Sequence, residues 1–403
     1  MKKILSGFLI AGCISTMGLV GCSQGNSSDQ LSDAGNSESG SSYTEWEEKS
    51  GVFVTDETEE ELYEKAKEEG KVVWYSISSR SEKIAESFNE KYPGVICEVY
   101  DISSDELLEK VTREYEAGQK TADVVHLKDQ DGSIYNEYVT NKIFYNYQPE
   151  DIMSHIDSQL TEYATPIYIE LTQLFYNKEA YPDGAPVDTL WDLTRPEWKG
   201  KIVMQNPIDN SSLGAWMAGF VLEETAEELE ELYEEEFGEK LELSEECPNA
   251  GYEFLKRLKA NDPVYTSSSD EAAEAIGTPG QTNPPIGFAA SSKMRKNESN
   301  GWVLESVNLL PNTGVPQINN IYMVEGSENT AAAKLLIRFI LGGADGTSEG
   351  YDPFNTLGGW PVRDDIEAVE GSTPLSDLNV ATFNPMEIYP IVNDVYDFWT
   401  ILP

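Results

Sequence analysis

The feature that most constrains this chain is an order of elements. Between residues 71 and 127, short apolar runs alternate with segments of helical period. Val72-Val73-Trp74-Tyr75 is the unbroken apolar run of a strand buried on both faces. Ile84, Ala85, Phe88 and Tyr92 follow at helical spacing, and Pro93-Gly94 ends that helix. Residues 95–100 read as a second strand, and Leu107, Leu108, Val111 and Tyr115 mark a second helix stopped by Gly118. Residues 123–127 read as a third strand. A β-α-β-α-β order predicts an α/β fold with a mainly parallel sheet, helices on its faces and right-handed crossovers.

A second set of the same kind follows an extended stretch at residues 165–177. Strands are predicted at 201–204, 264–266 and 286–290, with helices from about Leu213, over 251–260 and from about Asp270. Two α/β lobes then enclose one cleft. Open sheets of this type bind ligands beyond the carboxyl ends of their strands, where loops meet helix N-termini. On the first lobe that rule selects Ser76, Ser78, Ser79 and Arg80, and Lys128, Asp129 and Gln130. On the second it selects Asn210, Ser211 and Ser212, then Ser267, Ser268 and Ser269, then Ser291, Ser292 and Lys293. His126 reads as a satisfied histidine at a strand end. Arg80→Ala is expected to weaken binding while changing stability by no more than about 0.5 kcal/mol, as surface substitutions do.

Charge narrows the partners. Across 403 residues, 28 Lys and Arg stand against 72 Asp and Glu, a formal net charge of −44. Such a surface argues against nucleic acid and against attachment through polybasic patches. A hydrophobic content of 39% excludes a wholly disordered chain. Four Cys and two His leave little for a zinc or haem site, so no cofactor and no metal is expected. The thirteen Glu of residues 223–246 read as a solvated helical face. Asp129-Gln130-Asp131-Gly132 begins like a calcium loop, but Leu127 and Tyr138 occupy positions where acids are required. Cys97 and Cys247 are expected to be separate thiols.

The first residues predict an address. Lys2 and Lys3 precede an apolar run over residues 4–20 that ends Leu19-Val20-Gly21-Cys22, as a secretory signal would. That ending resembles the bacterial lipoprotein box, which implies lipid on Cys22 and removal of residues 1–21. Residues 22–43, rich in Ser, Gly, Asn and Asp, read as a flexible tether on the outer face of the cell membrane. Gly21-Cys22-Ser23-Gln24-Gly25 fits a hydrolase nucleophile pattern but lacks its strand-turn-helix context.

Several ordered pieces then form a resemblance. They are Lys71-Val72-Val73-Trp74-Tyr75-Ser76, Ala122-Asp123-Val124-Val125, Leu174-Phe175-Tyr176-Asn177 and Leu190-Trp191-Asp192-Leu193. Pro196-Glu197-Trp198-Lys199-Gly200-Lys201-Ile202, Glu328-Asn329-Thr330-Ala331-Ala332-Ala333-Lys334 and Pro361-Val362-Arg363 continue it. In this order they resemble the family 1 extracellular solute-binding proteins of bacterial ABC importers, in the branch that includes ferric-iron-binding proteins. The resemblance implies a monomeric two-lobed type II periplasmic-binding fold joined by hinge strands, which captures a small solute and delivers it to a membrane permease. It places lobe 1 at residues 44–165, lobe 2 at 166–310, a return to lobe 1 at 311–345, and residues 346–403 against lobe 2. Iron-binding members carry adjacent tyrosines after a strand like Pro285-Ile286-Gly287-Phe288; here Ala289-Ala290-Ser291-Ser292 follow instead. An anionic or phosphorylated organic solute is therefore favoured, with ferric iron held by tyrosines such as Tyr168 and Tyr322 as the alternative. An extracellular hydrolase working through two carboxylates is the reading from another class.

Overall fold

The computed structural model describes residues 43–382 and 384–403. Cys22, the signal and all of the tether before Tyr43 lie outside the described residues. Among the described residues no helix is long and apolar enough to cross a membrane.

The first half contributes β1 Lys71–Ser76, β2 Ile96–Asp101, β3 Val124–Lys128 and β4 Phe144–Tyr145. Next come β5 Pro166–Asn177, β6 Ile202–Gln205, β7 Val264–Thr266 and β8 Ile286–Ala290. β9 Leu304–Ser306, β10 Gly314–Val324 and β11 Gly359–Pro361 complete the set. They form one sheet in the order β2-β1-β3-β10-β5-β8-β6-β7, with β4 on β10 and both β9 and β11 on β5. The pairs at either end are parallel, β1 with β2 and β3, and β6 with β7 and β8. The middle is antiparallel, because β5 and β10 run against each other from Gly314↔Gln173 to Asn320↔Pro166. The sheet is thus mixed across the middle, where the long strands join two parallel sets.

Each parallel set carries its own apolar core. One contains Val72, Trp74, Ile84, Phe88, Val124 and Phe339. The other contains Trp191, Met204, Leu213, Trp216, Phe254 and Phe288. β10 serves both, with Val315 in the second core and Ile321 and Met323 in the first. All twelve residues of β5 are buried.

Local chemistry sets the helix starts. Thr58 and Glu61 form a capping box on Glu59–Glu69, Ser103 caps Ser104–Glu116, and Asn210 caps Ser211–Phe220. In Ser104–Glu116 only Leu107 and Val111 are fully buried; Leu108 packs against them partly buried, and Tyr115 is exposed. Glu223–Phe237 buries Ala226, Leu229 and Tyr233 and turns its acids outward. Cys97 and Cys247 are both free and buried. The segment after residue 346 divides between the halves instead of packing on one. Tyr351 and Phe354 enter the first core, whereas Ile388, Val392, Val395 and Trp399 enter the second. The last helix, Val392–Ile401, packs on Ser211–Phe220, where a Cβ on Gly214 would stand 2.2 Å from the Tyr396 hydroxyl.

Candidate functional site

A cavity of about 260 Å³ lies between the two parallel sets, with the long strands as its floor. Residues alternate along a strand, so one face of β5 presents Tyr168, Glu170 and Thr172 to the cavity, and one face of β10 presents Gln317 and Asn319. From the first half come Ile77, Ser78, Ser79, Arg80 and Lys128; from the second come Gln205, Asn210, Ser212, Ser269, Ala290, Ser292, Lys293 and Arg295.

Glu170 organises the floor. Its Oε1 accepts from Arg80 Nη2 at 2.8 Å and its Oε2 from Lys128 Nζ at 3.1 Å. Burial pushes this carboxyl up, but Lys128 and then Arg80 outweigh it, so Glu170 ionises well below the usual carboxylate range. Lys128 also donates to Gln317 Oε1, and the Gln317 amide donates to the Thr172 hydroxyl. Arg80 is held further by the rings of Tyr168 and Phe354, whose centroids lie 5.3 and 5.4 Å from its guanidinium carbon. Arg80 is therefore a fixed, partly buried element of the floor, and the expectation that it substitutes like a surface residue gives way to one of several kcal/mol.

Four cations, Arg80, Lys128, Lys293 and Arg295, line the cavity against the single carboxylate of Glu170. Lys293 donates to Asp270 at 2.9 Å. Arg295 donates to the Ser292 carbonyl at 2.7 Å and has no carboxylate partner among the described residues. Burial pushes both Lys293 and Arg295 down, and Arg80 adds to the effect on Arg295. The site is short of negative charge. Tyr168 is 2% exposed, and its hydroxyl makes no hydrogen bond among the described residues.

His126 lies behind this wall, fully buried. Its Nδ1 stands 3.1 Å from the Ser76 hydroxyl and its Nε2 3.1 Å from Asn319 Oδ1. Burial pushes its pKa down to about 3, so the ring is neutral and bridges β1 to β10.

Of the sequence-predicted residues, the cavity brings together Ser78, Ser79, Arg80, Lys128, Asn210, Ser212, Ser269, Ser292 and Lys293. The other seven are elsewhere. Ser76 is buried against His126. Asp129 accepts the backbone N–H groups of Ile134 and Tyr135, both at 2.9 Å, and so builds the turn after β3. Gln130 and Ser211 line a neighbouring chamber. The Ser267 N–H donates to Glu271, and the Ser268 hydroxyl caps the helix Ser269–Gly277. The Ser291 hydroxyl accepts from the Leu171 N–H at 2.9 Å and donates to the Gly358 carbonyl. Sequence reasoning missed Glu170, Thr172, Gln317, Asn319 and Arg295, and named Tyr168 only as an iron ligand. The signal was present in Tyr168-Ile169-Glu170-Leu171-Thr172, where polar residues alternate within an otherwise apolar run.

The family model described as bacterial extracellular solute-binding protein matches residues 74–344. The chain belongs to that family. Its members are extracytoplasmic proteins of the ABC-importer type, with a small molecule as ligand and a membrane permease as partner; this is a transport family rather than a catalytic one. No curated protein matches the chain. Iron-bound HitA from Pseudomonas aeruginosa has a similar structure, with a TM-score of 0.63 at 13% identity, covering 82% of this chain and 99% of that one. AfuA from Actinobacillus pleuropneumoniae, with fructose-6-phosphate bound, gives a TM-score of 0.59 at 18% identity, covering 82% and 99%. FutA from Trichodesmium, in complex with iron and citrate, gives 0.57 at 16%, covering 83% and 99%. The fold of this solute-binding protein is accordingly the type II periplasmic-binding fold.

His155, Asp364 and Asp365 are the one metal-compatible trio found among the described residues, and none of them lines the cavity.

Proposed function

We propose that this solute-binding protein captures an anionic or phosphorylated organic solute between its two halves and delivers it to the permease. The observation that carries the reading is the excess of Arg80, Lys128, Lys293 and Arg295 over Glu170 in a molecule whose net charge is −44. Local donors in a small cavity outweigh distant charges screened by salt. Arg295 spends one Nη1 hydrogen on the Ser292 carbonyl and has no carboxylate partner among the described residues, so its remaining N–H groups are suited to oxygens of a phosphate or carboxylate. The hydroxyls of Ser78, Ser79, Ser212, Ser269 and Tyr168 supply further donors. Arg80 and Lys128, tied to Glu170, position the floor. Among structurally similar proteins, AfuA holds a sugar phosphate, which is compatible with this reading.

A bare ferric ion fits less well. It requires several anionic oxygens, and the one carboxylate lining the cavity is already shared by two cations. HitA and FutA, which hold iron, share the fold at 13% and 16% identity, and that likeness carries no ligand. Closure would bend β5 and β10, the strands common to both halves, so that affinity depends on contacts from each side. Lipid on Cys22 and a tether up to residue 43 would keep a monomeric body beside its permease.

A thermal-shift screen of the purified protein against organic phosphates, dicarboxylates and ferric salts tests the reading. A ligand at 100 times its Kd adds about 2.7 kcal/mol to stability. The proposal expects that rise with anionic organic solutes; a rise with ferric salts alone overturns it.

A further inference from the structure

The cationic cavity continues past Lys128, Asn210 and Ser212. With Ile77, these residues also wall a second chamber of about 390 Å³. Its far side is made by Ser104, Asp105, Asp209 and Tyr396. The two chambers differ in charge. The second takes only Lys128 as a cation, and Lys128 is already held by Glu170 and Gln317. It presents instead the carboxylates of Asp105 and Asp209, both exposed and neither paired with a cation among the described residues. Asp209 accepts only from the Asn206 amide, at 2.8 Å.

Two hydroxyls are waiting for partners along this path. Ser212 is 8% exposed, lies on the wall common to both chambers, and its hydroxyl bonds to nothing among the described residues. The Tyr396 hydroxyl is likewise without a partner, and burial pushes its pKa up to about 12, so it stays protonated. Both residues line the chamber with a hydroxyl that no protein group uses, so a ligand group that bonds to either gains a hydrogen bond without displacing another. Tyr396 comes from the last helix, beyond residue 344 where the family match ends, whereas Ser104, Asp105 and Asp209 lie within the matched region.

We propose that the solute is longer than its anionic end. That end sits in the cationic cavity, and a tail bearing hydrogen-bond donors, either hydroxyl or ammonium groups, passes Ser212 into the second chamber. There Asp105 and Asp209 accept from it and Tyr396 bonds to it, which makes these three residues the determinants of which anionic solute is chosen. The inference rests on the anionic-solute reading above.

The test is calorimetric titration of the full chain with inorganic phosphate, a hexose 6-phosphate and O-phosphoethanolamine. At least one tailed ester is expected to bind tenfold or more tightly than inorganic phosphate. A gain with the hexose ester identifies hydroxyls, and a gain with O-phosphoethanolamine identifies an ammonium group. Tyr396→Phe, and separately the pair Asp105→Asn with Asp209→Asn, should reduce that preference several-fold while inorganic phosphate binds as before. Equal affinities for all three probes, or a preference that survives every substitution, overturns the role of the second chamber and leaves the cationic cavity standing. Absence of binding by all three overturns the anionic-solute reading, and this inference falls with it.

Discussion

Arg80 and Lys128 meet on the two oxygens of one buried carboxylate: Arg80 Nη2 is 2.8 Å from Glu170 Oε1 and Lys128 Nζ is 3.1 Å from Oε2. The three charges come from three strand ends or strands that are far apart in sequence, so the pair of bridges ties β5 to the loop after β1 and to the end of β3. Their energetic sign follows from burial. A single anion between two partly buried cations is far costlier to remove than to keep.

Glu170→Gln should accordingly destabilise the ligand-free protein by about 3–5 kcal/mol, because it leaves Arg80 and Lys128 facing each other without an anion. Urea unfolding measures this directly. An anionic solute should restore part of the loss, since it supplies the missing charge. A variant as stable as the parent would mean that the two bridges are not formed in solution.

Arg295 and Arg80 should separate affinity from stability. Arg295→Ala removes a guanidinium with no carboxylate partner among the described residues, so stability should change by about 0.5 kcal/mol or less. Ligand affinity should fall by about ten- to a hundredfold, equivalent to one charge-assisted hydrogen bond. Arg80→Ala should lower both. Calorimetry and urea unfolding on the two variants give four numbers, and a loss of stability confined to Arg295→Ala would reverse the assignment.

The pH dependence has a worked sign. Burial raises the Asp129 carboxyl from 3.8 to about 7, against the pull of the Ile134 and Tyr135 N–H groups. Between those two values the folded chain holds a proton that the unfolded chain has released. Stability should therefore fall as pH rises from about 4 to about 7. The depressed Glu170 acts oppositely and only in acid: its contribution is present above the ordinary carboxylate range and is lost as pH falls below it. Asp129→Asn should flatten the slope between pH 4 and 7 in urea unfolding, and an unchanged slope would assign it to another group.

Gly214 is a steric requirement. A Cβ there would lie 2.2 Å from the Tyr396 hydroxyl and 2.4 Å from its ring. Gly214→Ala should displace the last helix and cost about 1–3 kcal/mol, as overpacking does. Gly214→Ala combined with Tyr396→Ala should recover most of it, which a thermal melt of the two variants reads.

Much of the fold was legible because it is local. Val72-Val73-Trp74-Tyr75, the spacing of Ile84, Ala85 and Phe88, and the run after Ala122 each announce one element, and βαβ chirality joins them. The antiparallel middle was not legible, since the pairing of Gly314 with Gln173 closes over the whole of β6 to β9. The same divide runs through the site. Ser78, Ser79, Asn210 and Ser212 were found because loops at strand ends have a positional rule. Glu170, Gln317 and Asn319 sit inside long strands, where no such rule looks, and their role exists only once β5 and β10 lie side by side. Ser267, Ser268 and Ser291 obeyed the loop rule and yet spend their backbone or hydroxyl groups on capping and on strand-to-loop bonds. Capping and ligand binding use the same residue types, and only geometry separates them.

The most direct measurement is an isothermal titration of the full chain at neutral pH, first with an organic phosphate and then with ferric ion. The cationic cavity predicts saturable one-to-one binding of the phosphate, and no saturable binding of the bare ion. Tight one-to-one binding of ferric ion with no heat from any anionic organic solute would contradict it, and would hand the site to Tyr168, Glu170 and oxygens beyond them.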